Sequence, residues 1–203
     1  MKSIQKTTYN RLVINKSVFH NYLIPVASVD AVEKHLRTIK DEHPGANHYC
    51  TAYIIKPLQS IQKYDDNGEP SGTAGLPMLD VLKKNDLTNV FAISVRFFGG
   101  IKLGASGLVR AYAKGVSQNI ESATFTYLTE LHKVRLRIPF DEIGHVEHFI
   151  RKDYHLVDTT YDTHVTYHII MKADQFDSFK QFFINNTKGK AEITITETTH
   201  KFL

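Results

Sequence analysis

RFFGGIKLGASGLVR, at residues 96–110, and DDNGEPSGTAG, at residues 65–75, are the two segments that distinguish this sequence from an ordinary globular chain. Seven of its eleven glycines lie between Gly68 and Gly107. Glycine is unfavourable inside helices and strands, so this clustering indicates backbone in unusual conformations or backbone that a ligand approaches closely. Apolar residues flank both segments, and charged residues lie within them. We therefore expect any functional site to lie here.

The composition is that of an ordinary globular protein. The chain has 203 residues, of which 42% are hydrophobic and 23% are charged. It contains no apolar run of about 18 residues, the length that a membrane-spanning helix needs. The start of the sequence is polar and lacks the apolar segment of a secretion signal. The single cysteine, Cys50, has no partner for an internal disulfide. These features predict a cytoplasmic protein.

Positive charge is concentrated in the first part of the chain. Residues 1–125 contain fifteen Lys and Arg against ten Asp and Glu, a balance of +5. Residues 126–203 contain ten against eleven, a balance of −1. A positive domain attracts phosphate polymers, but this density is below that of a dedicated DNA-binding protein. The charge therefore permits a nucleic-acid partner without requiring one.

The second half has the clearest secondary-structure pattern. Alternation of polar and apolar residues predicts strands at 132–138 and 165–171, with further strands at 154–160 and 191–196. Apolar residues at helical spacing predict helices at 140–153 and around 176–183. The order β-α-β-β-α-β is the ferredoxin-like arrangement, in which two helices cover one face of an antiparallel sheet. We place this domain at 131–203, after a boundary near Ala123–Leu131.

The first domain, residues 1–125, also mixes helices with strands, so the predicted fold class is α+β. Strands are predicted at 10–14, 19–24, 48–55 and 90–95, and at 61–64, which pairs back across Pro57. Ser28 is the predicted N-cap of a helix that ends before Pro44. Further helices are predicted from Pro77 onward and from residue 107 or 108 to residue 120.

The segment at 96–110 joins a buried strand to a helix. In that geometry, free backbone N–H groups and the positive end of the helix dipole bind anions. Candidate residues for phosphate or nucleic-acid binding are Arg96, Phe97, Gly99, Gly100, Lys102, Gly104, Ser106, Gly107 and Arg110. The segment matches neither G-x-x-x-x-G-K-[ST] nor G-x-G-x-x-G. A tight strand-to-helix connection, with Arg96 in a structural ion pair, explains the same residues equally well.

The segment at 65–75 carries three carboxylates, Asp65, Asp66 and Glu69. They are suitable ligands for Mg²⁺ or general bases, because hard cations prefer oxygen. The same residues are typical of a surface turn or of ion pairs with the basic segment, and we favour that interpretation over a metal site. We predict no metal, no cofactor and no catalytic residue. His48 and Cys50 lie on one face of a strand, as a Cys–His nucleophile requires, but a simply packed cysteine is the more common case.

Two long motifs resemble those of the IMPACT family. They are DNGEPSGTAGLPML at residues 66–79 and VRFFGGIKLG at residues 95–104, the second continued by GLVRAY at 107–112. ANHYCTAY at 46–53 also resembles the strand that precedes the first motif. The length and two-part layout are similar to the bacterial, YigZ-type branch. Ser106 departs from the family pattern, which usually has glycine there, so close backbone approach of a ligand is not expected at that residue.

This resemblance implies a fold for each half. The N-terminal domain is expected to have the fold of the second domain of a small-subunit ribosomal protein, shared with domain IV of elongation factor G and with small-molecule kinases. The C-terminal domain is expected to resemble domain V of elongation factor G. That expectation agrees with the ferredoxin-like pattern of the second half.

The resemblance and the charge favour a non-enzymatic protein that binds RNA or the ribosome and acts in translation or its regulation. Eukaryotic family members act in translational control through protein partners, and bacterial members are suspected of binding nucleic acid or the ribosome. Two alternatives stay open. One is a nucleotide- or phosphate-binding enzyme that uses the glycine-rich segment with Mg²⁺, and the other is a protein-docking module. The sequence does not indicate an oligomeric state.

Overall fold

The computed structural model describes residues 1–55 and 61–203, which form two compact units, Met1–Tyr127 and Leu128–Leu203. Both units contain helices and antiparallel strands, so the predicted mixed α and β character is confirmed. Within the described residues, no helix is both long enough and apolar enough to cross a membrane.

The first unit is built on a five-stranded antiparallel sheet. A short strand, β1 (Lys2–Ile4), lies outside it and pairs with residues 125–127. In spatial order, the strands of the sheet are β2 (Thr8–Ile14), β3 (Ser17–Pro25), β6 (Val90–Phe97), β4 (His48–Ile55) and β5 (Ile61–Asp65). The predicted pairing of β4 with β5 is confirmed, whereas the connection that contains Pro57 lies outside the described residues.

Helices cover both faces of this sheet. Helix α1 (Val29–Glu42) packs on one face, and α2 (Gly75–Lys84) and α3 (Ala105–Glu121) pack on the other. Strand β6 has apolar side chains on both faces of the sheet, and both sets are buried by helices. Phe91 and Ile93 belong to the core beneath α1, whereas Val90 and Ala92 belong to the core beneath α2 and α3. The continuous apolar run in this part of the sequence therefore predicted a buried strand correctly.

The positions at which α1 and α3 begin can be compared with the predicted helix starts. Ser28 Oγ accepts a hydrogen bond from the Ala31 N–H at 3.2 Å, which confirms Ser28 as the N-cap of α1. Helix α3 begins at Ala105, earlier than the predicted residue 107 or 108. Gly104, at φ 71°, immediately precedes it. The chain turns sharply at this glycine, so the residues after it are already helical.

The second unit has the predicted order β-α-β-β-α-β. The elements are β7 (Phe125–Ile138, whose first residues belong to the first unit), α4 (Ile143–Asp153), β8 (His155–Tyr161), β9 (Val165–Lys172), α5 (Phe176–Asn186) and β10 (Glu192–Phe202). The strands lie side by side in the order β10, β7, β9 and β8, and every pair is antiparallel. Alternate strand residues such as Val134 and Tyr167 form one core with Val146 of α4 and Phe179 of α5.

A cluster of histidine and tyrosine rings lies on the α1 side of the first unit. The Tyr9 hydroxyl is 2.9 Å from His20 Nδ1, and the Tyr22 hydroxyl is 2.7 Å from His43 Nε2. The centroids of the two imidazole rings are 4.5 Å apart. Burial lowers the pKa of His20, and the positive charges of His43 and Arg11 lower it further.

The free energy of unfolding is therefore expected to decrease on acidification. The pKa of His20 is lowered in the folded state, so the unfolded chain takes up this proton at a higher pH than the folded chain does. The free energy of unfolding therefore decreases as the pH falls below 6.5, the ordinary pKa of histidine. Urea unfolding measured from about pH 7 to about pH 5 should show this decrease, and His20→Gln should reduce it. Equal pH dependence in the variant and the parent protein would contradict the assignment to His20.

Candidate functional site

Strand register places His48 and Arg96 side by side. They are directly opposite each other in the β4–β6 pair, so their side chains project from the same face of the sheet. The Arg96 side chain is only 5% exposed. Its guanidinium carbon lies 5.4 Å from the ring centroid of Phe19 and 5.4 Å from that of Phe98. The Arg96 side chain, one of the predicted phosphate ligands, is therefore held between two aromatic rings and buried.

Arg96 forms an ion pair with Glu69 of the acidic segment. Glu69 Oε1 accepts hydrogen bonds from Arg96 Nη1 at 2.6 Å and from the Tyr112 hydroxyl at 2.7 Å. The Glu69 side chain is 4% exposed. Arg96 Nη2 also donates to Ser17 Oγ at 3.3 Å. The two glycine-rich segments are thus joined by a buried ion pair, which is the structural interpretation that the sequence left open for Arg96.

Asp66 caps helix α2. Its Oδ1 accepts hydrogen bonds from the N–H groups of Ala74 at 3.0 Å and Gly75 at 2.8 Å, and its Oδ2 accepts one from Gly72 at 2.8 Å. Three backbone donors therefore occupy this carboxylate, and its negative charge sits at the positive end of the helix dipole. This arrangement matches the turn interpretation of the acidic segment.

The remaining acidic and nucleophilic candidates have structural partners. Asp65 Oδ1 accepts from the Asn67 N–H at 2.7 Å, as in an Asx turn. His48 Nδ1 lies 2.9 Å from the Asn67 carbonyl, whereas the Cys50 thiol donates to the Asp66 carbonyl at 3.0 Å. Burial raises the pKa of Cys50 to about 12, which disfavours the thiolate that a Cys–His nucleophile requires. Among the residues that the structure describes, no group of three or more His, Cys, Asp or Glu side chains is arranged to hold a metal.

The basic segment is anchored at Gly99. The Gly99 N–H donates to Ser17 Oγ at 3.1 Å, the same oxygen that accepts from Arg96. A β-carbon at Gly99 would overlap the backbone carbonyl group of Lys16 in the turn between β2 and β3. Close backbone packing therefore explains this glycine, one of the predicted ligand contacts.

Helix α3 begins without a cap. Among residues 1–55 and 61–203, no side chain accepts a hydrogen bond from its first turn, and no acidic residue lies in that turn. The first N–H groups of a helix have no partner within the helix and carry partial positive charge. Lys102 and Ser106 are exposed beside this end, and Arg110 is exposed one turn further along. The strand-to-helix connection on which that prediction depends is therefore present, whereas anion binding at this position stays a prediction.

A cavity of about 360 Å³ lies between the two segments. It is bounded by charged residues, by apolar side chains and by the beginning of α3: His48, Glu69, Pro70, Arg96, Phe98, Lys102, Leu103, Gly104, Ala105 and Leu108. A second groove, of about 350 Å³, lies on the other side of Leu103 and is lined in part by Gly107, Arg110 and Lys114. We refer to these two depressions as the loop cavity and the α3 groove.

The structure separates the predicted site residues into two groups. The first group surrounds the first turns of α3, together with the exposed turn at Gly100, and consists of Lys102, Gly104, Ser106, Gly107 and Arg110. The second group has packing or hydrogen-bonding roles and consists of Arg96, Phe97, Gly99 and the three carboxylates.

Three residues that line the two depressions are not among the predicted site residues. Phe98 is 45% exposed, whereas Phe97 packs against His20 and His43. His48 lines the loop cavity and Lys114 the α3 groove. Spacing was the available signal for Lys114, because positions 110 and 114 lie on one face of a helix.

Comparison with known proteins agrees with both halves of this description. The Impact N-terminal domain model matches residues 15–120, and a domain of unknown function (DUF1949) matches residues 136–190. The chain is 34% identical over 199 residues to "IMPACT family member YvyE" of Bacillus subtilis (strain 168), covering 98% of this chain and 92% of that protein. It is 29% identical to "IMPACT family member YigZ" of Escherichia coli (strain K12), covering 91% and 92% of the two chains.

A solved structure has the same fold across the whole chain. It is described as "Crystal structure of an hypothetical protein", is 29% identical, and superposes with a TM-score of 0.61 over 97% of each chain. Domain models, relatives and structure cover both units of the protein. The chain therefore belongs to the IMPACT family and is of its YigZ type.

Proposed function

We propose that this protein binds RNA or the ribosome without catalysing a reaction, and that it acts in translation or its regulation. The observation that carries the proposal is the uncapped beginning of α3, which opens beside the exposed side chains of Lys102 and Phe98. A phosphate at this position would receive backbone N–H donors and a lysine, and a neighbouring base would have an aromatic ring on which to stack.

The contrast between α2 and α3 supports an external anion. Helix α2 is capped from within the chain by the Asp66 carboxylate. Within the part of the chain that the structure describes, helix α3, seventeen residues long, has no such partner, and it has basic instead of acidic residues around its first turns. An anion from outside the chain would therefore accept hydrogen bonds from the first N–H groups of α3, as the Asp66 carboxylate does at the beginning of α2.

The basic surface continues along α3 into the α3 groove. Arg110 and Lys114 are four residues apart on one helix face, and the structure gives neither of them an acidic partner among the described residues. Like charges at this spacing destabilise a helix slightly. A chain of phosphates that runs from the loop cavity past Lys102 to the α3 groove would relieve this repulsion.

The fold of each unit is part of the same proposal. We infer that residues 1–127 have the fold of elongation factor G domain IV and that residues 128–203 are ferredoxin-like, as in domain V. The strand order β10, β7, β9, β8, with two helices on one core, supports the second assignment. A relation to translation rests on this analogy, because fold alone does not specify function.

Binding to single-stranded RNA is expected to depend on α3 and on salt. Fluorescence anisotropy with a labelled uridine oligonucleotide of about eight nucleotides measures it. Lys102→Ala with Arg110→Ala should weaken binding and should reduce the slope of log K against log salt by about 0.7 for each lost phosphate contact. Phe98→Ala should weaken binding by about 1–3 kcal/mol through lost stacking.

A matched control uses basic residues far from this site. Lys34→Ala with Arg37→Ala removes two exposed charges from α1 and should leave the RNA affinity nearly unchanged. Equal losses in both double variants would mean that only the net charge matters. The absence of RNA binding at low salt, together with capture of a protein partner that survives RNase, would contradict the proposal and favour a protein-docking module.

A further inference from the structure

One face of the sheet in the second unit lies opposite the helices. Val134, Leu136 and Ile138 of β7 project into the core formed with α4 and α5, so the residues between them project from the other face. We refer to this other face as the open face. Residues directly opposite each other on neighbouring strands share a face, so strand register identifies its members. They include Leu131 and Lys133 of β7, His155 of β8, Ile170 and Lys172 of β9, and Thr199 and Lys201 of β10.

Charge is divided unequally between the open face and the rest of this unit. Residues 128–203 contain ten Lys and Arg against eleven Asp and Glu, so the unit as a whole is slightly acidic. By strand register, five of the basic residues but only three of the acidic ones belong to the open face: Lys133, Arg135, Arg137, Lys172 and Lys201 against Asp158, Glu192 and Glu197. An acidic unit therefore presents one basic surface.

Three of the five basic side chains are available to a ligand. Lys133 and Arg137 form ion pairs with nearby carboxylates, and these pairs occupy two of the three acidic residues of the open face. Arg135, Lys172 and Lys201 are exposed, and none of them forms an ion pair within residues 1–55 and 61–203. The unpaired charge of the open face is therefore mainly positive.

The basic side chains follow one line along β7. Arg135 and Lys133 are two residues apart in β7 itself, whereas Lys172 and Lys201, on the two neighbouring strands, pair with positions two and four residues nearer the beginning of β7. A strand advances about 3.4 Å per residue, so a positive charge recurs about every 7 Å over a length of about 20 Å. This interval is close to the separation of successive phosphates in an extended nucleic-acid strand.

A groove of about 620 Å³ lies at one end of this line. Lys172 and Lys201 line it, and the half-buried side chains of Leu131 and Ile170 add apolar surface. Two imidazoles and a threonine also line it, and Asp153 is the acidic residue among the lining side chains. Lysines beside apolar surface suit a nucleotide, because the phosphate contacts the ammonium groups while the ribose and base lie against the apolar side chains.

We propose that the open face binds the phosphate backbone of single-stranded RNA, with one nucleotide in the groove that Lys172 and Lys201 line. This inference rests on the proposed RNA binding and adds a contact surface on a different unit from α3. An acidic peptide fits this surface less well. Peptides that a sheet recognises pair with main-chain groups at its edge, whereas phosphates are bound by side chains, which is what the open face presents.

Matched double variants test the contribution of the open face to affinity. Lys172→Gln with Lys201→Gln removes two charges from this face, and Lys152→Gln with Lys180→Gln removes two exposed lysines from α4 and α5. Fluorescence anisotropy with a labelled uridine oligonucleotide of about sixteen nucleotides measures binding to the full chain. The first pair should weaken binding about tenfold at low salt and reduce the slope of log K against log salt by about 1.4, whereas the second pair should change neither.

Photocrosslinking locates the RNA independently of affinity. A uridine oligonucleotide that contains 4-thiouridine is crosslinked to the full chain, and mass spectrometry identifies the attached peptides. We expect crosslinks in β7, β9 or β10 that are lost in the variant with Lys172→Gln and Lys201→Gln. Crosslinks confined to residues 96–114, or equal affinity losses in the two double variants, would overturn the open-face contact and leave RNA binding standing. No binding of the oligonucleotide by the parent protein would overturn both.

Discussion

Arg96→Met is expected to lower the free energy of unfolding of the first unit by about 3–5 kcal/mol, the usual cost of removing one partner of a buried ion pair. The methionine fills the space between Phe19 and Phe98, so lost packing contributes little. The Glu69 side chain is 4% exposed in the parent protein, and among the described residues the Tyr112 hydroxyl would be the hydrogen-bond donor that remains to it. The unmatched negative charge is therefore the main source of the loss.

A double variant separates charge from packing. Arg96→Met combined with Glu69→Gln removes both charges and keeps the amide oxygen that Tyr112 requires, so stability should recover in part. Arg110→Met is the matched control, because this arginine is exposed, and a change within about 0.5 kcal/mol is expected. The chain has no tryptophan, so far-UV circular dichroism or hydrogen exchange is the suitable measurement. A loss in Arg96→Met no larger than that in the control would contradict the ion-pair argument.

Gly99→Ala is expected to destabilise the first unit by about 3 kcal/mol or more, at the upper end of the cost of overpacking. The added methyl group would overlap the carbonyl carbon and oxygen of Lys16. These are backbone atoms of a two-residue turn in which Asn15 and Lys16 already have positive φ, so they cannot rotate away as a side chain would. The N–H of residue 99 would also move from Ser17 Oγ.

The control for Gly99→Ala is another glycine-to-alanine change with open space around it. Gly144 is in α4, and a β-carbon there would meet no atom within 4 Å. Gly144→Ala should raise stability by up to about 1 kcal/mol, because alanine favours the helix. Thermal unfolding of both variants tests the contrast. Unchanged stability in Gly99→Ala would show that the turn at Lys16 yields more readily than its backbone contacts imply.

Local pattern was sufficient to predict most of the fold. The apolar run of β6 and the N-cap at Ser28 were predicted correctly, because each depends on neighbours in sequence. The strand-to-helix connection at α3 was predicted in the same way, although the helix begins at Ala105 and not at residue 107 or 108.

The buried ion pair of Arg96 with Glu69 could not be predicted from local sequence pattern. Glu69 is twenty-seven residues away along the chain, in the connection between β5 and α2, and only the tertiary fold brings it to the Arg96 side chain of β6. Which of Phe97 and Phe98 is packed and which is exposed likewise depends on contacts between residues that are distant in sequence. Alternation indicates that one ring faces inward, but strand register and the docking of the two segments decide which.

Cys50 provides a built-in reporter for the first unit. It is the single thiol of the chain, has no exposed surface, and lies beneath the acidic segment with its proton directed at the Asp66 carbonyl. An alkylating reagent therefore reaches it only when this part of the core opens. In the limit of rapid reclosure, the labelling rate at increasing denaturant measures the equilibrium for that opening event. The stability of one unit is then accessible in the intact chain, without a spectroscopic probe and without cutting the protein.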